Sequence, residues 1–215
     1  MVISHRHKFI FVKTAKTAGT SVEVVLSQIC GEEDVVTPFG IEEHGHVPRN
    51  YYGYYNHMPA HEIINRVGEE VWAHYLTFTV ERNPWDKVVS HYNFVKARHD
   101  EHDLAFGTYL KRGAFPHNLR LYARIGDRGT PELLVDSVLQ YENLSQQLPA
   151  LLAHHGVSLP GRLPHAKGQY RDHRVLYESY YNDAQRKLIA HEFEQEIALF
   201  GYEFGSPQPN PSFPS

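Results

Sequence analysis

The sequence predicts an α/β fold with a central parallel sheet flanked by helices. Two apolar runs, Phe9-Ile10-Phe11-Val12 and Phe78-Thr79-Val80, each pass through a short polar turn into a helical pattern. Strand-like and helix-like stretches then alternate along most of the chain, the pattern of a parallel sheet covered by helices. In such sheets, ligands bind at the carboxyl ends of the strands.

Each element has its own warrant. Residues 8–14 read as a strand and 19–29 as its helix, with Val22, Val25, Leu26 and Ile29 on one face. Residues 31–56, rich in Gly, Pro, His and Tyr, read as loop. Pro59 to Val67 reads as a short helix that keeps Ile63, Ile64 and Val67 inward and stops at Gly68. Residues 75–81 form the second strand and 84–98 its helix. Asn83 suits its cap, Pro84 its first position and Asp86 its first turn. Residues 100–131 are irregular, with a short helix around Leu119–Ile125. Ser137–Tyr141 reads as the third strand, followed by a helix at 143–155. Asn182 or Asp183 caps a final helix with Ile189, Phe193 and Ile197 on one face. Residues 1–204 read as one domain, and 205–215, with four prolines, as a flexible tail.

Composition bounds the function. The 215 residues suffice for one sizeable core. A formal net charge of −4 argues against a nucleic-acid partner, which calls for a basic excess. Cys30 is the single cysteine, so no intrachain disulfide can form. No apolar run reaches the ~18 residues of a membrane span, and Met1 to Lys8 is too short and polar for a signal peptide. The expectation is a soluble cytoplasmic enzyme with no stable membrane insertion.

Two turns carry the chemistry. Lys13-Thr14-Ala15-Lys16-Thr17-Ala18-Gly19-Thr20-Ser21 joins the first strand to its helix. Backbone N–H groups and a positive helix end converge there. Lys16 adds a mobile charge, and Thr17, Thr20 and Ser21 add hydroxyls. Gly19 lets the backbone approach closely. The turn reads as a phosphate holder, although the G-x-x-x-x-G-K-[ST] spacing of a Walker loop is absent. Ordinary helix capping by Thr or Ser is the alternative. The second turn, Glu81-Arg82-Asn83-Pro84-Trp85-Asp86, repeats the arrangement. Arg82 ends the strand, and Ser90 lies seven residues after Asn83, on the cap's face. Arginine plus hydroxyl at a helix start makes a second anion site, against the alternative of a well-capped helix with a surface arginine. Two such sites suit a ligand with two separated anionic groups.

The pair resembles the two nucleotide-binding signatures of the sulfotransferases that use 3′-phosphoadenosine 5′-phosphosulfate (PAPS). It is most similar to their carbohydrate and membrane-associated branch, whose loops read Pro-Lys-Thr-Ala-Gly-Thr-Ser and Val-Arg-Asn-Pro-Trp-Asp-Arg-x-x-Ser-x-Tyr. The resemblance continues through Tyr141-Glu142-Asn143-Leu144, His165-Ala166-Lys167-Gly168-Gln169-Tyr170-Arg171 and Leu199-Phe200-Gly201-Tyr202-Glu203-Phe204, in the family's order. Ala15 replaces the usual Pro, and Glu81 an apolar residue; a carboxylate there could orient Arg82 or compete with phosphate.

The resemblance implies a P-loop-like three-layer sandwich forming a single sulfotransferase domain. It implies transfer of a sulfuryl group from PAPS to an acceptor hydroxyl on a carbohydrate or glycolipid, leaving 3′,5′-ADP, without a metal. Lys16, Thr17, Ala18, Gly19, Thr20 and Ser21 would wrap the 5′-phosphosulfate, Lys16 also serving catalysis. Arg82 and Ser90 would hold the 3′-phosphate, Tyr141 would lie near the adenine, and Lys167 and Gly168 would return to the nucleotide. For Tyr141 and Lys167 the alternatives are strand-end packing and a solvated loop. His57 is the candidate base, with Glu62 and His61 as competitors. His57 and His61, with His44 and His46 upstream, make a zinc site conceivable, but H-E-x-x-H is missing. The acceptor, a small molecule or glycan, would meet residues 31–56 and 100–131, where Tyr51, Tyr52, Tyr54 and Tyr55 could stack on sugar rings. A kinase-like phosphotransferase and a non-catalytic nucleotide-binding module are the alternative readings.

Overall fold

The computed structural model describes residues 1–39, 46–127, 129–161, 163 and 175–205. Its centre is a five-stranded sheet in the order β3-β1-β2-β4-β7. These strands are β1 (Val2–Ser4), β2 (Phe9–Phe11), β3 (Val35–Val36), β4 (Leu76–Glu81) and β7 (Ser137–Gln140). The strands β2, β4 and β7 run parallel, with Phe11 opposite Phe78 and Val80 opposite Leu139. The sheet is nevertheless mixed, not wholly parallel as the sequence suggested. β1, which the sequence reading did not include, pairs antiparallel with both β2 and β3. Four residues separate β1 from β2, enough for a hairpin and far too few for a parallel crossover.

Side-chain alternation sorts the core to the two faces. Phe9, Phe11, Phe78, Val80 and Leu139 pack on α1 (Gly19–Ser27) and α7 (Leu144–His154). Ile3, Ile10 and Val12 pack on α2 (Ala60–Val67) and α6 (Leu119–Tyr122). Helices therefore cover both faces. A third apolar cluster joins α4 (Pro84–Arg98), α5 (Phe106–Lys111) and α8 (Asp183–Glu192) beside the sheet. A short helix, α3 (Glu69–His74), leads into β4. Among the described residues no helix is long and apolar enough to cross a membrane.

Several elements differ from the sequence reading for local reasons. The helix around Leu119–Ile125 ends at Tyr122, because Ala123–Ile125 becomes β5 and pairs with β6 (Pro131–Leu133). The final helix divides at Phe193 into α8 and α9 (Glu194–Phe200). Phe193 is fully buried, stacked on His117 at 4.7 Å and under the Lys87 ammonium at 4.7 Å. That anchorage holds its backbone out of helical geometry, at φ −119° and ψ 27°. The loop 31–56 contains β3, and 100–131 contains α5. The expected tail lies outside the described residues apart from Gly205.

Glu81 ends β4 with no exposed surface. Its carboxylate pairs with Lys87 at 2.8 Å and accepts from the Tyr122 hydroxyl at 2.9 Å and the Arg82 backbone N–H at 2.9 Å. It does not pair with the Arg82 guanidinium; it ties β4 to α4 and α6. Lys87→Met should therefore destabilise the chain by about 3–5 kcal/mol, because it leaves a buried charge uncompensated. Urea unfolding checks this, and the Glu81→Gln/Lys87→Met double variant should lose less than the sum of its singles.

Candidate anion-binding site

The exits of β2 and β4 lie side by side because the strands are parallel neighbours. Hydrogen bonds lock them together. The Thr79 hydroxyl donates to the Val12 carbonyl at 2.7 Å, and the Thr14 hydroxyl donates to the Val80 carbonyl. Asn118 grips the next residue on both sides: its amide oxygen accepts from the Ala15 N–H at 2.9 Å, and its amide nitrogen donates to the Ala15 carbonyl at 3.0 Å.

The turn from β2 to α1 then changes hand twice. Lys16 has φ 63° and Ala18 φ 61°, both left-handed, with Thr17 between them in the ordinary range. Alternation of hand aims successive N–H groups to one side and makes an anion-binding concavity. The cap residue of α1 is Ala18, and no side chain caps the helix. Among the described residues nothing accepts from the N–H groups of Thr17, Ala18, Gly19 or Thr20. Ordinary side-chain capping is thus not what this turn does. Left-handed non-glycine backbone costs about 1–3 kcal/mol per residue and collects at functional sites.

The loop residues divide into two groups. Thr17 is fully buried, and its hydroxyl lies 2.7 Å from that of Thr14. Its side chain locks the turn, which leaves its N–H as the group it can offer an anion. Ser21 is buried in the first turn of α1, while Thr20 and Ala18 are half-buried. Gly19 serves packing: a Cβ there would lie 2.8 Å from Lys13 Cγ and 3.1 Å from the Thr14 carbonyl oxygen. The Lys16 ammonium sits 4.2 Å from the centre of the Phe94 ring on α4.

The second turn meets the first through Arg82. Its Nε donates to Asp86 at 2.8 Å, its Nη2 pairs with Asp86 at 2.6 Å, and its Nη1 donates to the Lys16 carbonyl at 3.1 Å. The Tyr141 ring lies against the guanidinium, 4.0 Å from its carbon. Asn83 caps α4 by accepting from the Trp85 N–H at 3.1 Å, and Glu142 accepts from the Asn83 N–H at 2.7 Å. Arg82 is therefore a buried clamp between the two turns rather than a surface arginine. Of its five N–H groups, two remain beyond these three bonds. Ser90 is half-buried on α4, four residues before Phe94.

His57 reaches the same place from another direction. It has φ 62°, and its Nδ1 lies 3.1 Å from the Lys13 carbonyl. A carbonyl only accepts, so Nδ1 carries the proton and Nε2 presents the lone pair. Burial, with the Lys13 charge behind it, pushes His57 down to about 4. Lys13 itself is turned inward, in a buried ion pair with Glu23 of α1. The structure does not bring the two competing bases to the turn. Glu62 accepts from the Tyr55 hydroxyl at 2.8 Å. His61 lines a separate cavity of about 490 Å³ with His117, Arg120, His191 and Glu196. Lys167 and Gly168 lie outside the described residues. Of the four tyrosines upstream, Tyr52 is 98% exposed and Tyr54 lies under Arg66. Among the described residues no group of three metal-ligating side chains is placed to hold an ion.

Asn118 and Phe94 contact these turns and escaped the sequence reading. Only Phe94 had a signal, its helical spacing of four from Ser90.

No family model matches the chain, and no solved structure matches it. The chain is similar to an uncharacterized protein of Archaeoglobus fulgidus. The two are 34% identical over 95 residues, which cover 44% of this chain and 79% of the archaeal protein.

The His57 environment sets a pH dependence. Between pH 6.5 and about 4, the unfolded chain binds a proton at His57 that the folded chain refuses. Its contribution to stability is therefore complete above pH 6.5 and is lost as pH falls to about 4. His57→Gln should flatten part of that loss when unfolding is measured at stepped pH. An unchanged slope would place the ring in water.

Proposed function

We propose that this chain, which belongs to the same family as the uncharacterized archaeal protein, is a sulfotransferase that uses PAPS. The relative contributes membership and no chemistry, so the reading rests on the site. The observation that carries it is the Arg82 contact to the Lys16 carbonyl, which joins two anion-suited turns at the ends of adjacent parallel strands. A donor with a phosphosulfate at one end and a 3′-phosphate at the other matches two such turns in one register, and fixing both ends orients it. A P-loop-like arrangement, with the first turn around the phosphosulfate, is part of the proposal. So is a carbohydrate or glycolipid acceptor.

In this reading the acceptor oxygen attacks sulfur and forms a new S–O bond. The S–O bond to the 5′-phosphate breaks in line, and the phosphate takes the electron pair. Lys16 meets the charge that develops on the bridging oxygen, a stabilisation strongest in the transition state. The acceptor proton goes to Nε2 of His57, whose lone pair is held ready by the Lys13 carbonyl. A bound anion beside neutral His57 would raise its affinity for that proton.

Calorimetry tests the donor. The expectation is tight, metal-free binding of 3′,5′-ADP and weaker binding of 5′-AMP. A preference for ATP with magnesium would overturn the reading in favour of phosphoryl transfer. Arg82→Ala should erode the 3′,5′-ADP over 5′-AMP ratio; a wild-type ratio in the variant would overturn Arg82 as the 3′-phosphate ligand.

Turnover tests the base. His57→Ala should lose about 10²–10⁴ in rate while keeping its 3′,5′-ADP affinity, and Glu62→Gln should lose far less. A dead Glu62→Gln beside an active His57→Ala would reverse the assignment. Lys16→Ala should lower kcat far more than donor affinity.

A further inference from the structure

His91 follows Ser90 on α4, half-buried, with its Nδ1 2.7 Å from the Tyr109 hydroxyl. Tyr109 is 1% exposed, and burial pushes its phenol well above the ordinary range. The phenol therefore keeps its proton. Among the described residues the Tyr109 hydroxyl has no hydrogen-bond partner besides His91, and the rings of Tyr92, Phe106 and Phe115 pack around it. His91 Nδ1 is the acceptor for that buried O–H. In a neutral imidazole whose Nδ1 accepts, the proton sits on Nε2. Burial first, and the Lys16 ammonium second, push His91 down to about 4, so the ring is neutral at ordinary pH.

The ring shares a shelf with Lys16. His91 stacks on Phe94 with centroids 6.3 Å apart, and the Lys16 ammonium sits over that same Phe94 ring at 4.2 Å. The two histidines of the site thus show opposite nitrogens. His57 presents a bare Nε2, and His91 presents an N–H.

We infer that His91 is an anion-contacting residue, whose Nε2–H donates beside Lys16 to an oxygen of the departing 5′-phosphate group. The inference rests on the proposed sulfuryl-donor reading. It divides the site into an accepting side at His57 and a donating side at His91 and Lys16. Tyr109 acts through His91, as a positioning residue that fixes its tautomer.

The test uses the full chain, calorimetry with 3′,5′-ADP, and nitrogen-resolved NMR of the imidazoles. The free protein should show His91 protonated on Nε2, and that proton should shift when 3′,5′-ADP is added. His91→Ala should weaken 3′,5′-ADP binding by about 10- to 100-fold, the loss typical of a hydrogen bond to a charged group. His91→Gln, whose amide can donate from a similar place, should recover most of that affinity, and it serves if the alanine variant misfolds. Tyr109→Phe should weaken binding less than His91→Ala and release the tautomer. Wild-type binding of 3′,5′-ADP with His91→Ala within about twofold of it would overturn the inference and leave the donor reading standing. A glutamine variant as weak as the alanine variant would also overturn it. If wild type binds neither 3′,5′-ADP nor inorganic pyrophosphate, both fall together.

Discussion

The site depends on the backbone leaving β2 being pinned against the backbone leaving β4. Val12, Thr14 and Ala15 are held by Thr79, Val80 and Asn118: the Val12 carbonyl and both backbone groups of Ala15 are bonded, and the Thr14 hydroxyl donates to the Val80 carbonyl. Only after that can the chain reverse hand at Lys16 and Ala18. Left-handed alanine and lysine are unfavourable alone and persist where the surroundings over-determine them. The consequence is a turn whose N–H groups are preorganised before any ligand arrives. A loop that had to find this shape on binding would lose affinity to the ordering.

Buried charge serves the same end. Glu81 is held by Lys87, Tyr122, Asn118 and the Arg82 N–H, so its oxygens meet donors from α4, from α6 and the residue before it, and from the next turn. Glu23 of α1 holds Lys13, whose carbonyl in turn holds His57. Neither pair is needed for hydrophobic stability, since buried ion pairs often do no better than apolar replacements of the same volume. What they supply is direction. Each fixes a backbone atom that touches the site: the Arg82 N–H in one case, the Lys13 carbonyl in the other.

The sequence showed what is local. Residues 84–98 could be bounded to the residue, because Asn83, Pro84 and Asp86 are start signals read from side-chain chemistry alone. The two turns were visible for the same reason. What stayed hidden depends on distant partners. β1 is three residues long and earns strand geometry only by pairing with Phe9–Phe11 and Val35–Val36. Ala123–Ile125 looks helical in continuation from Leu119 until β6 pairs with it. Phe193 fits a helical stripe by spacing, yet packing against His117 and Lys87 breaks the helix there. In the site, Asn118 lies 103 positions from Ala15, and no periodicity connects them. Arg82 was legible as an anion ligand by type. Its engagement with the Lys16 carbonyl was not, because that needs the two strand ends side by side.

That engagement changes how the second turn works. An arginine with all five donors free would bind any phosphate presented to it. Arg82 has committed three, and Tyr141 covers one of its faces. In the proposed enzyme, an anion at Arg82 would come along the plane of the guanidinium, in line with the two remaining N–H groups, and would leave the Lys16 bond intact. Because the same bond fixes Lys16, an anion that displaced it would also unseat the first turn. In the proposed enzyme, recognition at the far end of the donor and alignment of the reacting end are therefore one mechanical event, carried by the hydrogen bond from Arg82 to the Lys16 carbonyl.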